Sequence, residues 1–234
     1  MCGRAVERRI TMRVNDRHLS FYYEPDNDMG EIKIDPAKTA LLIVDMQNGS
    51  LVRPENDDKE HAERWEPFYK KIDEVVLPCN KRILEAFREK KMNIVFAKVI
   101  SHKNDGSDRS LDHKGTGFNA LHVMEGDWRG EIVPELAPQG YELVVRKTTD
   151  SVITGTNLRL LLNNMGIDTV VVTGIFTDQC VSGTVRSLAD ESFKVWLIED
   201  ACMAATERIH NNELEILNNI YCHVVNTDEI LAAL

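Results

Sequence analysis

The sequence predicts a single α/β domain built on a parallel sheet that helices flank. Short apolar, β-branched runs recur from Thr39 onward and alternate with amphipathic segments, a pattern typical of parallel sheets with buried strands. The chain has 234 residues, 43% of them hydrophobic, so it can bury one large core. We therefore assign residues 36–234 to one domain and the polar residues 1–35 to an N-terminal arm.

Six apolar runs are predicted to form the strands. They cover residues 39–44, 93–99, 142–146, 169–173, 194–198 and 222–225. Helix candidates lie near residues 66–90, 156–165, 179–191, 206–219 and 227–233. Pro67 and Pro78 interrupt the first of these, so its helix is expected to begin near Leu77. In the arm, residues 11–14 and 19–23 are predicted to pair as a hairpin.

Charge and composition exclude several classes of function. A net charge of -10 and a pI near 5.2, with no basic cluster, argue against binding to nucleic acid or to an anionic membrane. There is no secretory apolar segment and no apolar run that approaches the ~20 residues of a bilayer span, so a cytoplasmic protein is expected. The five cysteines are an odd number without paired spacing, which predicts free thiols. These features favour small-molecule chemistry.

Three reactive side chains follow three of the predicted strands, namely Asp45, Lys147 and Cys180. Ligands bind beyond the carboxyl ends of the strands in an open parallel sheet, so these side chains are expected to meet. Cys180 lies near the start of a predicted helix, whose backbone N–H groups stabilise a thiolate and an oxyanion. Each residue alone has an ordinary explanation, as a turn cap, a solvated lysine or a buried apolar thiol. Together they predict a hydrolase with a cysteine nucleophile.

Three segments carry a resemblance to a known family. They are ALLIVDMQ at residues 40–47, KTTDSVITGTNL at 147–158 and TGIFTDQCV at 173–181. In this order and spacing they resemble the isochorismatase-like cysteine hydrolase superfamily, and the likeness runs from about residue 36 to the end. The resemblance implies a three-layer, Rossmann-like fold with a six-stranded, mostly parallel sheet in the order 3-2-1-4-5-6. It also implies a catalytic triad that maps to Asp45, Lys147 and Cys180.

The reaction that the resemblance implies is a two-step hydrolysis of a small amide or ureido (N-carbamoyl) compound. Lys147 and the helix N-terminus would favour the Cys180 thiolate, with Asp45 as the general base. The thiolate would form a thioester and release ammonia or an amine, and water activated by Asp45 would then cleave the thioester. The backbone N–H groups of Phe176 and Cys180 would hold the oxyanion. As in the family, the Ile175–Phe176 peptide is expected to be cis.

Departures from the family pattern bear on metal and substrate. Nicotinamidases of this superfamily usually continue the first motif with Asp-Phe and a metal-binding Asp-x-His, whereas this chain reads QNGSL over residues 47–51. Residues 49–70 contain only His61, in a context that indicates a solvated helix. No metal and no cofactor are therefore expected. These features favour the amidohydrolase branch that is similar to N-carbamoylsarcosine, ureidoacrylate and biuret hydrolases.

Further side chains are candidates for substrate binding. They are Asn48, Arg53, His102, Trp128 and Thr177. Arg53 could hold a substrate carboxylate bidentately, whereas Arg146 should point to the opposite face of its strand from Lys147. Residues 100–130 lack periodicity and are predicted to be a loop over the site. For His102, His113 and His122 in this loop, the alternative is an ordinary surface or loop histidine.

Other functions stay open on the sequence. The chain could be a nicotinamidase, an isochorismatase-like vinyl-ether hydrolase, or a catalytically silent binding protein on the same fold. True isochorismatases typically lack the nucleophilic cysteine, so Cys180 favours C–N cleavage. A silent relative would be expected to lose at least one of the three reactive groups. Family members are often dimers or tetramers, so a homo-oligomer that acts on a small molecule is expected.

Overall fold

The computed structural model describes residues 16–26, 32–55 and 57–234, and within them six strands form one parallel sheet. The strands are β1 (Thr39–Val44), β2 (Asn93–Val99), β3 (Leu143–Lys147), β4 (Thr169–Ile175), β5 (Lys194–Met203) and β6 (His223–Val225). Their order across the sheet is β3-β2-β1-β4-β5-β6, and each neighbouring pair is parallel. The predicted fold class and strand order are therefore confirmed.

Strand β5 is longer than predicted, since it ends at Met203 rather than at residue 198. Its pairing with β4 shifts after Val172 and resumes with Gly174 opposite Cys202. The residues skipped by this irregularity include the polar pair Glu199 and Asp200, which end the apolar run in the sequence. The apolar pattern therefore stops before the strand does.

The described helices lie between the strands. They are α1 (Asn48–Leu51), α2 (Lys59–Lys71), α3 (Leu77–Glu89), α4 (Leu158–Asn164), α5 (Ser182–Asp190), α6 (Glu207–Leu217) and α7 (Thr227–Ala233). Two wide turns of π type, Ile72–Val76 and Thr177–Val181, precede α3 and α5. Among the helices in this part of the chain, none is both long and apolar enough to cross a bilayer.

The first long helix corrects a prediction, because it begins at Lys59 and not near Leu77. Its N-terminus is capped by the side chain of Asp58, which accepts a hydrogen bond from the main-chain N–H of His61 at 2.9 Å. Pro67 lies within the helix on its exposed side, where the missing backbone bond faces water. The wide turn directly before α3 leaves Pro78 in the first turn of that helix, where its missing N–H costs little. The helical path is therefore continuous through both prolines.

Successive side chains of the buried strands point to opposite faces of the sheet, so they pack in two separate cores, one on each face. Leu42 and Val44 pack in the first core, with apolar side chains of α4, α5 and α6. Leu41 and Ile43 pack in the second, with apolar side chains of α2, α3 and α7. The helices thus form two outer layers around the sheet, which is the three-layer arrangement that the resemblance implies.

The described part of the N-terminal arm is not a hairpin strand. Residues 21–26 form a 3₁₀ turn, in which the N–H of Tyr23 donates to the carbonyl of Ser20 at 2.9 Å, so the backbone bonds locally instead of pairing. The predicted partner, residues 11–14, lies outside the described residues. His18 holds the arm on the domain, since its Nε2 is 2.7 Å from Oε2 of Glu199 and its carbonyl accepts from Asn218 at 3.0 Å.

Candidate active site

The three predicted reactive side chains meet at one edge of the sheet. Asp45 directly follows β1, Lys147 is the last residue of β3, and Cys180 lies in the wide turn Thr177–Val181 that follows β4. The Lys147 Nζ is 2.7 Å from Oδ2 of Asp45 and 3.2 Å from Sγ of Cys180. It also donates to the carbonyl of Thr149 at 3.0 Å. One ammonium therefore bridges a carboxylate and a thiol.

Burial governs the ionisation of this trio, since all three side chains are buried. Burial raises the pKa of Asp45, although the ammonium opposes the change. Burial alone would lower the pKa of Lys147, but the charges of Asp45 and Cys180 outweigh it and raise the pKa. Burial, reinforced by the Asp45 carboxylate, raises the pKa of Cys180 well above its ordinary value. Burial and the Asp45 carboxylate thus favour the neutral thiol of Cys180, while the Lys147 ammonium favours its thiolate, as expected from the sequence.

The backbone around Asp45 forms a sharp turn that aims the carboxylate into the site. Its φ of +53° lies in the left-handed region, which aspartate tolerates better than most residues. Its N–H donates to the carbonyl of Ala97 at 3.0 Å, which ties the turn to β2. Two residues on, the Gln47 amide donates to the carbonyls of Val99 and Gly130, both at 3.0 Å, and accepts from the N–H of Val99 at 2.8 Å. The glutamine of the Asp-x-Gln motif thus fastens the end of β2 to the loop above it.

Gly174 allows the strands that carry Asp45 and Cys180 to approach closely. Its φ is +113°, and a Cβ at this position would lie 2.0 Å from the carbonyl oxygen of Val44. The next peptide, Ile175–Phe176, is cis, as predicted. The backbone N–H groups of Phe176 and Cys180 remain the predicted oxyanion hole.

A cavity of about 300 Å³ opens at Cys180 and Asp45. Trp65, Phe118 and Phe176 form an aromatic wall on it, in which the Trp65 and Phe118 rings stack at a centroid distance of 5.5 Å. The loop predicted over the site does line the cavity, with Phe118, Ala120, Leu121, His122, Val123 and Arg129. Apolar and aromatic surface therefore surrounds most of the space next to the thiol.

Two basic side chains on the cavity wall, Arg129 and His61, each contact a carboxylate. Arg129 pairs with Asp127, with Nη2 2.6 Å from Oδ2. The Nδ1 of His61 is 2.6 Å from Oδ2 of Asp57. Within residues 16–26, 32–55 and 57–234, no group of three or more His, Cys, Asp and Glu side chains is arranged to hold a metal ion.

The five side chains predicted to bind substrate are not among those that line the cavity. Arg53 turns away because its guanidinium bonds to both Glu66 oxygens at 3.2 Å and to Asp73 at 2.7 Å. Asn48 is buried and donates from Nδ2 to the carbonyl of Trp128 at 3.0 Å. The Trp128 ring is exposed outside the cavity. Asn48 therefore anchors the loop.

Thr177 and His102 also have contacts of their own. The Thr177 hydroxyl is fully buried and 2.8 Å from Nδ1 of His210 on α6. This contact fixes the start of the wide turn that carries Cys180. His102 lies on an exposed turn, where its main-chain N–H donates to Asp108 at 2.7 Å. Arg146, as expected, lies on the other side of β3 from Lys147 and is paired with Glu125.

Sequence reasoning missed the face of α2 that lines the cavity. His61, Trp65 and Tyr69 all contribute to the lining. They are spaced four residues apart, which places them on one side of a helix. This spacing was the available signal, but the surrounding charges indicated a solvated helix. Both descriptions hold, since the opposite face of α2 is exposed.

His113 is a loop histidine, one of the two predicted alternatives to a site residue, but it is not on the surface. Its ring is buried, and Nε2 lies 2.9 Å from Oδ1 of Asp150. The same Asp150 oxygen lies 3.6 Å from Sγ of Cys180. A hydrogen bond from His113 lowers the pKa of Asp150, so this carboxyl is ionised beside the thiol.

Comparison with known proteins gives a consistent result. Residues 39–229 match the Isochorismatase domain. The uncharacterized isochorismatase family protein YrdC of Bacillus subtilis is 30% identical over 205 residues, which cover 83% of this chain and 95% of that protein. The ureidoacrylate amidohydrolase RutB of Serratia proteamaculans is 30% identical over 169 residues, or 64% of each chain. The solved N-carbamoylsarcosine amidase of Thermoplasma acidophilum is 25% identical, with a TM-score of 0.65 over 82% of this chain and 97% of that one.

Proposed function

Since the chain belongs to the isochorismatase family of hydrolases, we propose that it cleaves the C–N bond of a small amide or ureido compound through a thioester on Cys180. The observation that carries this proposal is the position of the Lys147 ammonium, 2.7 Å from the Asp45 carboxylate and 3.2 Å from the Cys180 sulfur, at one cavity. A base, a cation and a nucleophile in mutual contact are what covalent acyl transfer requires.

Acylation begins from a neutral thiol. As Cys180 attacks the substrate carbonyl, Asp45 accepts the thiol proton, and the raised pKa of this carboxyl makes it a stronger base than an ordinary aspartate. Lys147 stabilises the developing thiolate. The oxyanion accepts hydrogen bonds from the backbone N–H groups of Phe176 and Cys180. Asp45 then gives its proton to the departing nitrogen, because an unprotonated amine is a poor leaving group.

Deacylation repeats the same steps with water in place of the thiol. The cavity that the amine has left admits water beside Asp45, which removes a proton as the oxygen attacks the thioester. Collapse of the tetrahedral intermediate releases the acid and the Cys180 thiolate. The amide branch is supported by two relatives, whose names describe an amidohydrolase for ureidoacrylate and an amidase for N-carbamoylsarcosine.

The cavity wall favours a second candidate within the amide class, an uncharged aromatic amide such as nicotinamide. Trp65, Phe118 and Phe176 offer flat apolar surface to a ring. Arg129, the one arginine or lysine among the described lining residues, is already paired with Asp127, so it is a weak partner for a substrate carboxylate.

Product release from a substrate panel tests the proposed function, measured as ammonia for the nitrogen compounds and as the carbonyl product for a vinyl ether. The panel contains ureido acids, biuret, carbamoyl amines, nicotinamide and a vinyl ether that releases no nitrogen. We expect turnover of at least one amide or ureido compound and none of the vinyl ether. Turnover of the vinyl ether alone, or of no panel member by the correctly folded protein, would contradict the amidase assignment.

The pH dependence of kcat/KM should reflect the raised pKa of Asp45. This carboxyl must be ionised to accept the thiol proton, so activity is present above its pKa and is lost as the pH falls through it. The acid limb should therefore lie above about 4, the ordinary value of an aspartate. The measurement is a kcat/KM profile of the wild type beside Asp168→Asn, which removes an exposed carboxylate and should leave the limb in place. An acid limb at or below the ordinary value would remove Asp45 as the base.

A further inference from the structure

Asp150 reaches the nucleophile from a second side. Its Oδ1 lies 3.6 Å from Sγ of Cys180, within the range of a hydrogen bond to sulfur. It is not among the residues that line the cavity, and its side chain is 50% exposed. The thiol thus contacts the buried ion pair of Asp45 and Lys147 on one side and a carboxylate in contact with solvent on the other.

His113 holds this carboxylate in place. Its Nε2 lies 2.9 Å from Oδ1 of Asp150, while its Nδ1 is buried and has no hydrogen-bond partner among the described residues. The tautomer with hydrogen on Nε2 donates to Asp150 and leaves no unsatisfied buried donor at Nδ1. Asp150 is therefore the polar group toward which the buried imidazole is directed.

The proposed reaction requires an exit for one proton per turnover. Hydrolysis of an amide gives R–CO–NH–R′ + H₂O → R–COO⁻ + NH₂–R′ + H⁺. In acylation, the proton of the thiol leaves on the amine. In deacylation, water gives one proton to Asp45 and keeps the other on the carboxylic acid that forms. This acid then protonates the departing Cys180 thiolate. The triad then holds one proton more than at the start. Asp45 is buried on the wall of the cavity, where the acid product is still bound after water has reacted, so a second route lets the proton leave before the product does.

We propose that Asp150 is a second catalytic carboxylate, which passes this proton from Cys180 to solvent without using the substrate cavity, with His113 as its positioning residue. The S–H bond of Cys180 breaks and an O–H bond forms on Oδ1 of Asp150, which then loses the proton to water. Asp45 returns its own proton to the thiolate, which restores the resting state. The inference rests on the proposed amidase function.

The charges around these groups determine how long each of them holds the proton. Cys180 faces the carboxylates of Asp45 and Asp150 and the ammonium of Lys147. Asp150 faces His113, Lys147 and Cys180. The hydrogen bond from His113 lowers the pKa of Asp150, and burial raises the pKa of Cys180, so Asp150 holds the proton only transiently before its exposed half releases it to water.

Buffer dependence of Asp150→Asn tests the proposal, because the amide keeps the shape of the side chain and cannot carry the proton. At low buffer concentration kcat should fall on the order of 10- to 100-fold, toward the lower end of proton-transfer effects. The value of kcat/KM, which reports the steps through acylation, should change by less than about threefold. Imidazole should restore kcat, since the site of Asp150 is open to solvent. His113→Asn should show the same buffer rescue with a smaller loss, and Asp112→Asn, an exposed neighbour, should match the wild type.

A wild-type kcat for Asp150→Asn at low buffer, or a loss that imidazole does not relieve, would overturn the proposal. If the wild type itself hydrolyses no amide, the proposed function fails instead.

The contact between Asp150 and Cys180 is then tested without substrate, by the rate at which iodoacetamide alkylates Cys180 as a function of pH. The Asp150→Asn profile should move to lower pH because one of the two carboxylates that face the thiol is lost, and an unmoved profile counts against the contact.

Discussion

Replacing Cys180 with serine is expected to lower kcat by at least about 10⁴-fold, because removal of a nucleophile leaves only the contributions of binding and of the oxyanion hole. A hydroxyl has nearly the size of the thiol but ionises far less readily, so Asp45 cannot convert it to a nucleophile at neutral pH. Substrate binding should persist, and quenching of the fluorescence of Trp65, which lines the cavity, measures it.

Cys222→Ala is the matched control for this variant, since Cys222 is also a free, buried thiol but lies in the core away from the cavity. We expect the control to lose on the order of 1 kcal/mol of unfolding free energy and to keep a kcat near that of the wild type. Comparable activity in Cys180→Ser and the wild type would show that another group attacks the substrate.

Gly174→Ala is expected to lower the free energy of unfolding by more than about 4 kcal/mol and to abolish activity. The added Cβ would lie 2.0 Å from the carbonyl oxygen of Val44, which is a backbone atom that cannot turn aside. Relief of this clash must separate β4 from β1, and with them Cys180 from Asp45. For a chain of this size the melting temperature should fall by on the order of 10 °C, which calorimetry or circular dichroism measures.

Gly155→Ala separates the clash from the effect of the backbone angle. Gly155 also has a positive φ, of +76°, but no atom lies within 4 Å of an added Cβ. Its cost should be limited to about 1 kcal/mol, the conformational penalty of alanine in this region. Equal destabilisation by the two substitutions would mean that the close approach at Val44 is unimportant.

The sheet and the three reactive groups could be predicted because both follow from local pattern. Buried parallel strands are continuous apolar runs, so β1 and β2 are bounded as the sequence predicts. The carboxyl ends of parallel strands lie at one edge of the sheet. Residues just past these ends, such as Asp45 and Cys180, are therefore predicted to lie close together. The cis peptide at Ile175–Phe176 followed from the family resemblance rather than from the residues.

The cavity wall could not be predicted in the same way, because it depends on how a loop and a helix face each other. Arg53 was a plausible carboxylate ligand, but the sequence does not show that Glu66 and Asp73 neutralise it. His61 lies on a solvated helix as predicted, but the sequence does not show that its side of α2 also lines the cavity. Long-range contacts of this kind carry no periodic signal.

The measurement that tests the central proposal most directly is mass spectrometry of the protein, quenched in acid during turnover of a panel substrate. We expect a mass increase equal to that of the acyl group, located on the peptide that contains Cys180 and removed by hydroxylamine, as for a thioester. Continued product release with the acyl group on a different residue, or with no covalent species at any quench time, would contradict it.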